Sequence, residues 1–556
     1  MKTDIEIQKE RKLLNIEDIA EKAGFKKSEI ENYGKYKAKI EYSVIKNAKP
    51  KNNSKLILIS AISPTPAGVG KTTNAIGICD AVNKINHNAV VVLRQPSLGP
   101  TLGMKGGATG GGYAQVAPME DINLKFTGDL HAITTANNFL SSLIDNHINY
   151  SNKLGIDYRD IKFKKTIDLD DRTLREIMIG LGEKNGFPRK DSFVITAASE
   201  VMAIMSMSKN IPDMKERLGR ILVGYSYDGN PIFAKALDAE EPMAVLLKDA
   251  IKPNLVQTIE NNPAIIHMGP FGNIASGTSS IISIKLAMSR SDIVITEAGF
   301  GADLGAEKFL NIVSRLGEFT PSAIVIMASI QALKYHGGAT VPQLKAENID
   351  AIEKGLENLK IHIDNMLFFG IPVVVGLNKF STDTDKEISY TLEAIKRFGV
   401  PGILTDPFNK GGDGCIEIAQ EVIIAANSFS KRKFKYLYDL NIPIKDKIGK
   451  IAKTIYRAKG VEYSRKAKAD IDKIENIGFG NLPICFAKTQ YSISDNPKLL
   501  TLDIPYNINV EEVRLSAGAG FIVPIAGSIM TMPGLPMKPN ALNFRIDEDG
   551  NITGIE

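Results

Sequence analysis

Two glycines, a lysine and two threonines behind an apolar run are the residues whose types and spacing most plainly suggest chemistry. The run LILISAI at 56–62 leads into SPTPAGVGKTT at 63–73, and an apolar helical pattern follows over 74–85. Glycine reaches backbone angles at which successive N–H groups wrap phosphate oxygens, and Gly68 and Gly70 stand where such a turn needs them. The N-terminus of the helix behind them adds partial positive charge. This layout predicts that Thr65, Pro66, Ala67, Gly68, Val69, Gly70, Lys71 and Thr72 cradle ATP. Lys71 then meets the β- and γ-phosphates, and the Thr72 hydroxyl meets Mg²⁺. The strict form of the pattern has glycine where this chain has Thr65.

A second apolar run, AVVVL at 89–93, ends in RQPSLGP at 94–100. Arg94 sits just past a strand beside the phosphate loop. It can grip an anion with both arms of its guanidinium, or pack as a surface arginine. The glycine-rich stretch GGATGGGY at 106–113 suggests a turn where backbone approaches a ligand or another chain closely. Other candidates are weaker. His267 and His336 precede glycines after apolar runs, and His131 is a further histidine candidate. Glu297 and Asp303 can serve a substrate or metal, or serve only structure. No histidine spacing supports zinc.

Such residues need a scaffold. Further apolar, β-branched runs occur at 193–196, 292–296, 323–327, 372–376, 402–404 and 482–486, with helical patterns between many of them. Runs without alternation predict strands buried on both faces of a parallel sheet, joined by right-handed crossovers. The expected fold class is α/β: a multi-domain chain with a P-loop-type parallel sheet, helices on both faces and smaller α/β domains. Residues 1–360 are assigned to a large nucleotide-binding domain with an excursion around 113–190. Residues 361–460 are assigned to a second α/β domain and 461–556 to a third. The tail after 495, with its prolines and glycines, is expected to be irregular, and 447–473 to be helical. In such sheets ligands sit beyond the carboxyl ends of strands, which is where Lys71 and Arg94 fall.

Composition narrows the classes. With 556 residues the chain can bury a large core. Its 68 Lys and Arg against 63 Asp and Glu leave a net charge of +5. That is too mild to require nucleic acid. Cys79, Cys415 and Cys485 are far apart and form no C-x-x-C, which fits a reducing, cytoplasmic setting. The start MKTDIEIQKERK is too charged for a signal peptide, and no apolar run suggests a membrane span.

Taken together, the segments TPAGVGKTT (65–73), GGGYAQVAPMED (110–121), DAIKPNLVQ (249–257), TEAGFGADLGAEKF (296–309), AKTQY (487–491) and TMPGLP (531–536) resemble the formate–tetrahydrofolate ligase family almost end to end. The resemblance implies an ATP-dependent ligase that forms formyl phosphate from formate. The N10 amine of tetrahydrofolate then attacks the formyl carbon. It implies ATP with Mg²⁺, room for a monovalent cation, no tightly bound organic cofactor, and a homotetramer without nucleic-acid or membrane partners. Lys71 and Arg94 become the catalytic pair. Phe300, Phe380 and Phe408 match positions that stack on folate or adenine, a reading preferred to plain core packing.

Several motif positions depart from the family pattern. Val69 and Gln95 stand where it has Glu, Lys125 and Ser276 where it has His, Gln331 where it has Arg, and Phe408 where it has Trp. Lys71, Thr72 and Arg94 are kept, so the ligase remains the leading expectation. The alternatives are a catalytically weakened paralogue that binds ATP or folate, and a different P-loop ATPase.

Overall fold

The computed structural model describes residues 2–66, 68–103, 108–500 and 505–555. Ala67 of the phosphate loop, and Gly106 and Gly107 of the glycine-rich stretch, lie outside these described residues.

The expected α/β architecture is present. Its parallel strands are β1 (Lys55–Ala61), β2 (Ala89–Leu93), β3 (Pro263–Ile266), β4 (Ile293–Glu297), β5 (Ala323–Ala328), β6 (Val373–Asn378) and β7 (Gly402–Thr405). Across the sheet they run in the order β3-β2-β4-β1-β5-β6-β7. Beyond β3, Asn254–Thr258 pairs antiparallel and carries the sheet on to Ala38–Ile40 and Ile30–Asn32. The strands within 361–460 extend this same sheet.

Every residue of β2 through β6 is buried, so other elements cover both faces. The covering helices are α1 (Lys71–Lys84), α2 (Ile281–Arg290), α3 (Ile330–His336), α4 (Ile349–Phe368), α5 (Asp385–Arg397) and α6 (Ile416–Ser428). Helix α6 packs on α1, and α3 on α4. Asn348 caps α4 and Thr384 caps α5, each side chain accepting an N–H from the first turn. No helix among the described residues is long and apolar enough to cross a membrane.

Some sequence expectations change. The run at 193–196 is a strand, Phe193–Ile195, but it pairs with Lys165–Ile167 outside the main sheet. The run at 482–486 forms only isolated bridges to Phe521–Ala526. Pro483 and Pro524 each lack an N–H, so a continuous ladder cannot form there. The 447–473 stretch is not one helix. A strand, Gly460–Tyr463, separates Ile444–Thr454 from Arg465–Asn476. The tail is more regular than its prolines suggested, because Asn507–Ser516 pairs antiparallel with Phe521–Ala526.

Candidate functional site

The site gathers where strands β1, β2, β4, β5 and β6 end. The chain leaves β1 and turns through Gly68 (φ +72°) and Gly70 (φ +68°) into α1. Gly70 is in the left-handed region, and a Cβ there would lie 2.6 Å from Asn378 Nδ2 at the end of β6. Glycine is thus required for the turn and for the approach of Asn378. Asn74 Nδ2 on α1 donates to the Gly70 carbonyl and to Asn378 Oδ1, both at 2.9 Å, tying the loop to β6. Gly68 N–H closes onto the Thr65 carbonyl at 3.0 Å.

Lys71 Nζ donates to the Phe300 carbonyl at 2.6 Å, and Thr72 Oγ1 donates to Glu297 Oε2 at 2.8 Å. Glu297, 4% exposed, is the last residue of β4, and its other oxygen lies 3.7 Å from Arg94 Nε. A single carboxylate therefore accepts the Thr72 hydroxyl hydrogen on one side and faces the Arg94 guanidinium as an ion pair on the other. The sequence offered Glu297 only as a weak candidate. Its partners come from elements distant in the chain, so no local pattern marks it.

Phe300 follows, with φ +59°. A phenylalanine in the left-handed region is strained and persists only where its surroundings dictate it. Gly299 lies against Arg94, and a Cβ on Gly272 would meet the Phe300 ring at 2.8 Å. The ring is half-buried over this glycine floor. Phe380 is also half-buried, two residues past Asn378, with its N–H on Asp383 Oδ2 at 2.8 Å.

Phe408 stands apart. It lies in a helical turn, Pro407–Lys410, and is 40% exposed. Its carbonyl accepts the Tyr113 N–H at 2.9 Å, and its ring lies against Gly111 and Gly112. Pro407 packs on Gly77 of α1. Gly77 is six residues past Lys71, about 9 Å along the helix axis.

The positions that depart from the family pattern are also placed. Val69 is buried. Gln95 Oε1 and Ser276 Oγ are buried without a hydrogen-bond partner among the described residues. Gln331 Nε2 donates to Thr382 Oγ1 at 3.0 Å, and Lys125 is exposed. His267 is buried between the Ser280 hydroxyl and the Ala250 carbonyl, and burial lowers its pKa to about 4. His131 is exposed. Asp303 is fully buried and pairs with Lys488 at 2.9 Å. His336 is also buried, with Nε2 at 2.9 Å from the Ser63 carbonyl, so His267 and His336 each satisfy a buried backbone carbonyl.

Among the described residues no cluster of three or more His, Cys, Asp or Glu could hold a metal. The Thr72–Glu297 pair supplies hard oxygen donors of the kind Mg²⁺ shares with nucleotide phosphates.

Helix α1 also carries a buried carboxyl. Asp80 Oδ1 accepts from Thr258 Oγ1 and Asn262 Nδ2, both at 2.6 Å. Burial, with nearby Glu260, raises its pKa from 3.8 to about 7, against the lowering effects of the Thr258 and Asn262 hydrogen bonds and then of Lys84. A folded-state pKa above the unfolded value means that the folded chain binds the extra proton. Stability is therefore lost as pH rises from near 4 to near 7. Asp80→Asn can keep both hydrogen bonds without ionising. The variant should gain stability on the parent through that window, with a limiting slope of about 1.4 kcal/mol per pH unit. Urea melts at pH 4, 5.5 and 7.5 check this; a constant difference between the two proteins would refute it.

A family model described as formate–tetrahydrofolate ligase matches residues 2–556.

Proposed function

Because the chain belongs to the formate–tetrahydrofolate ligase family, and so joins formate to tetrahydrofolate with ATP, we propose that the cluster of Lys71, Thr72, Arg94, Glu297 and Phe300 is where this chemistry occurs. The observation that carries the assignment is Glu297, which binds the Thr72 hydroxyl and lies beside Arg94 at once. It unites a phosphate-and-metal corner with an anion-gripping arginine.

ATP lies with its phosphates on the loop from Thr65 to Thr72. Lys71 moves from the Phe300 carbonyl to the phosphates, and Thr72 and Glu297 would hold Mg²⁺, which would offset phosphate charge. Formate is a weak nucleophile and a poor acyl donor. Transferring a phosphoryl group to it gives formyl phosphate, whose phosphate then leaves when the N10 amine attacks the formyl carbon. Arg94 is suited to hold that anion between the two steps, because its planar fork matches two phosphate oxygens. Catalysis here is mostly positioning and charge compensation.

With Val69 and Gln95 uncharged, Glu297 is the carboxylate that contacts this corner. Formate-dependent ADP release with and without tetrahydrofolate tests the assignment. ATP turnover that ignores both co-substrates would refute it.

Phe300 and Phe380 are proposed as stacking surfaces, and Phe408 as a more distant one. Phe408→Trp adds ring area and an indole N–H, so tetrahydrofolate or ATP should bind up to about tenfold tighter. Phe408→Ala should weaken binding while costing less stability than the ~3–5 kcal/mol of a fully buried phenylalanine. Calorimetric titration beside a melt decides; unchanged binding in both variants would leave Phe408 a packing residue. The homotetramer, room for a monovalent cation and a cytoplasmic location belong to the same proposal. The three cysteines, all free and buried, fit a reducing compartment.

A further inference from the structure

Ser63, the residue after which the phosphate loop begins, is gripped at each of its polar atoms. Its N–H donates to Asn358 Oδ1 at 3.4 Å, and Asn358 Nδ2 donates back to Ser63 Oγ at 3.2 Å. His336 Nε2–H donates to the Ser63 carbonyl at 2.9 Å. His362 Nε2 lies 3.2 Å from Ser63 Oγ. The serine hydroxyl and His362 Nε2 thus share a hydrogen bond whose donor is set by the imidazole tautomer. All four residues are buried.

The same place is where the turn carrying Phe300 arrives. A Cβ on Gly301 would lie 3.2 Å from His362 Cε1, 3.3 Å from Ser63 Cα and 2.6 Å from Asp303 Oδ1. Asp303 opens onto Lys488, fully buried like itself, at 2.9 Å. Lys488 Nζ also donates to the Thr489 and Ser492 carbonyls, the latter at 2.5 Å, so it ties the carboxy-terminal segment to this spot. The phosphate loop and the Phe300 turn thus meet twice: at the mouth through Lys71 and the Phe300 carbonyl, and at the root through Ser63, His362 and Gly301.

We propose that His362 and Lys488 are positioning residues that lock the root of the phosphate loop to the Phe300 turn, so that nucleotide and tetrahydrofolate binding are energetically coupled. The inference rests on the placement of nucleotide and folate given above. Close-packed contacts transmit a displacement rather than absorb it. Phosphate binding that shifts the loop therefore shifts Gly301 and the strained Phe300 beside it. His362 is neutral in this role, since burial lowers its pKa to about 4. It remains a hydrogen-bond partner of the serine hydroxyl.

The test is calorimetric titration of Mg²⁺–ADP with and without saturating tetrahydrofolate. In the parent, tetrahydrofolate should change the ADP Kd by about fivefold or more. His362→Ala and Lys488→Met should bring that ratio to within about twofold of unity, with ADP still bound. His362→Gln keeps an amide near the Nε2 position, whose oxygen can accept from the serine hydroxyl and whose NH2 can donate to it, and should restore the ratio. Lys447, buried and held by the Leu440, Gly480 and Leu482 carbonyls, is the control. Lys447→Met should lower the melting temperature without touching the ratio. A ratio near unity in the parent, or one unchanged in both His362→Ala and Lys488→Met, overturns the proposal. Coupling in a parent that shows no formate-dependent turnover would leave the proposal standing and sink the ligase assignment of the site.

Discussion

Lys71→Ala should slow formate-dependent ADP release by about 10²–10³-fold or more, the cost of removing one preorganised charge from a developing phosphoryl-transfer transition state. The lysine is the first residue of α1, at the positive end of the helix, and its ammonium reaches across to the Phe300 carbonyl at 2.6 Å. Triphosphate binding must draw the ammonium from that carbonyl to the phosphates, so its loss acts on the nucleotide step first. ATP affinity should fall together with turnover. The fold should be little affected, because β1 and α1 are held by buried residues on either side of Lys71. Steady-state kinetics with a thermal melt check this. Parental turnover in Lys71→Ala would remove the phosphate loop from the mechanism.

Arg94→Lys should lower formyl transfer by about 10²-fold or more while ATP affinity stays within a few-fold of the parent. The guanidinium lies against Gly299 and beside Glu297, which keeps its plane fixed relative to Thr72 and the phosphate loop. Lysine keeps the charge but presents a single point of contact, so it cannot hold two oxygens of one anion in a fixed orientation. The expected signature is ADP formation that outruns 10-formyltetrahydrofolate formation, as formyl phosphate escapes to water. Comparing the rates of the two products measures this. Equal rates at the parental level would make Arg94 a structural residue.

Much of this was legible in the sequence because its causes are local. A strand buried on both faces must be apolar throughout, so β1, β2, β4, β5 and β6 could be placed to within a residue or two, and the half-buried edge strand β7 as closely. A turn that wraps phosphate needs residues able to take positive φ, and Gly68 and Gly70 announce it. Lys71, Thr72 and Arg94 follow because they lie at the carboxyl ends of such strands. The antiparallel pair at the carboxy terminus was missed because prolines and glycines outweighed the alternation of buried and exposed residues along Asn507–Ser516.

What the tertiary structure alone decided are the partners. Thr72 and Glu297 are separated by 225 residues, Ser63 and His362 by 299, and no spacing rule links them. They meet because β4 lies next to β1 in the sheet and α4 packs over the loop that leaves β1. The same order sorted the aromatic candidates. Phe300 lies three residues past the end of β4 with its carbonyl on Lys71, Phe380 follows β6 beside Asn378, and Phe408 falls along the flank of α1. The sequence alone could say which side chains were equipped for the reaction. Their meeting depended on strand order, because only the folded sheet converts separations of hundreds of residues into contacts of about 3 Å.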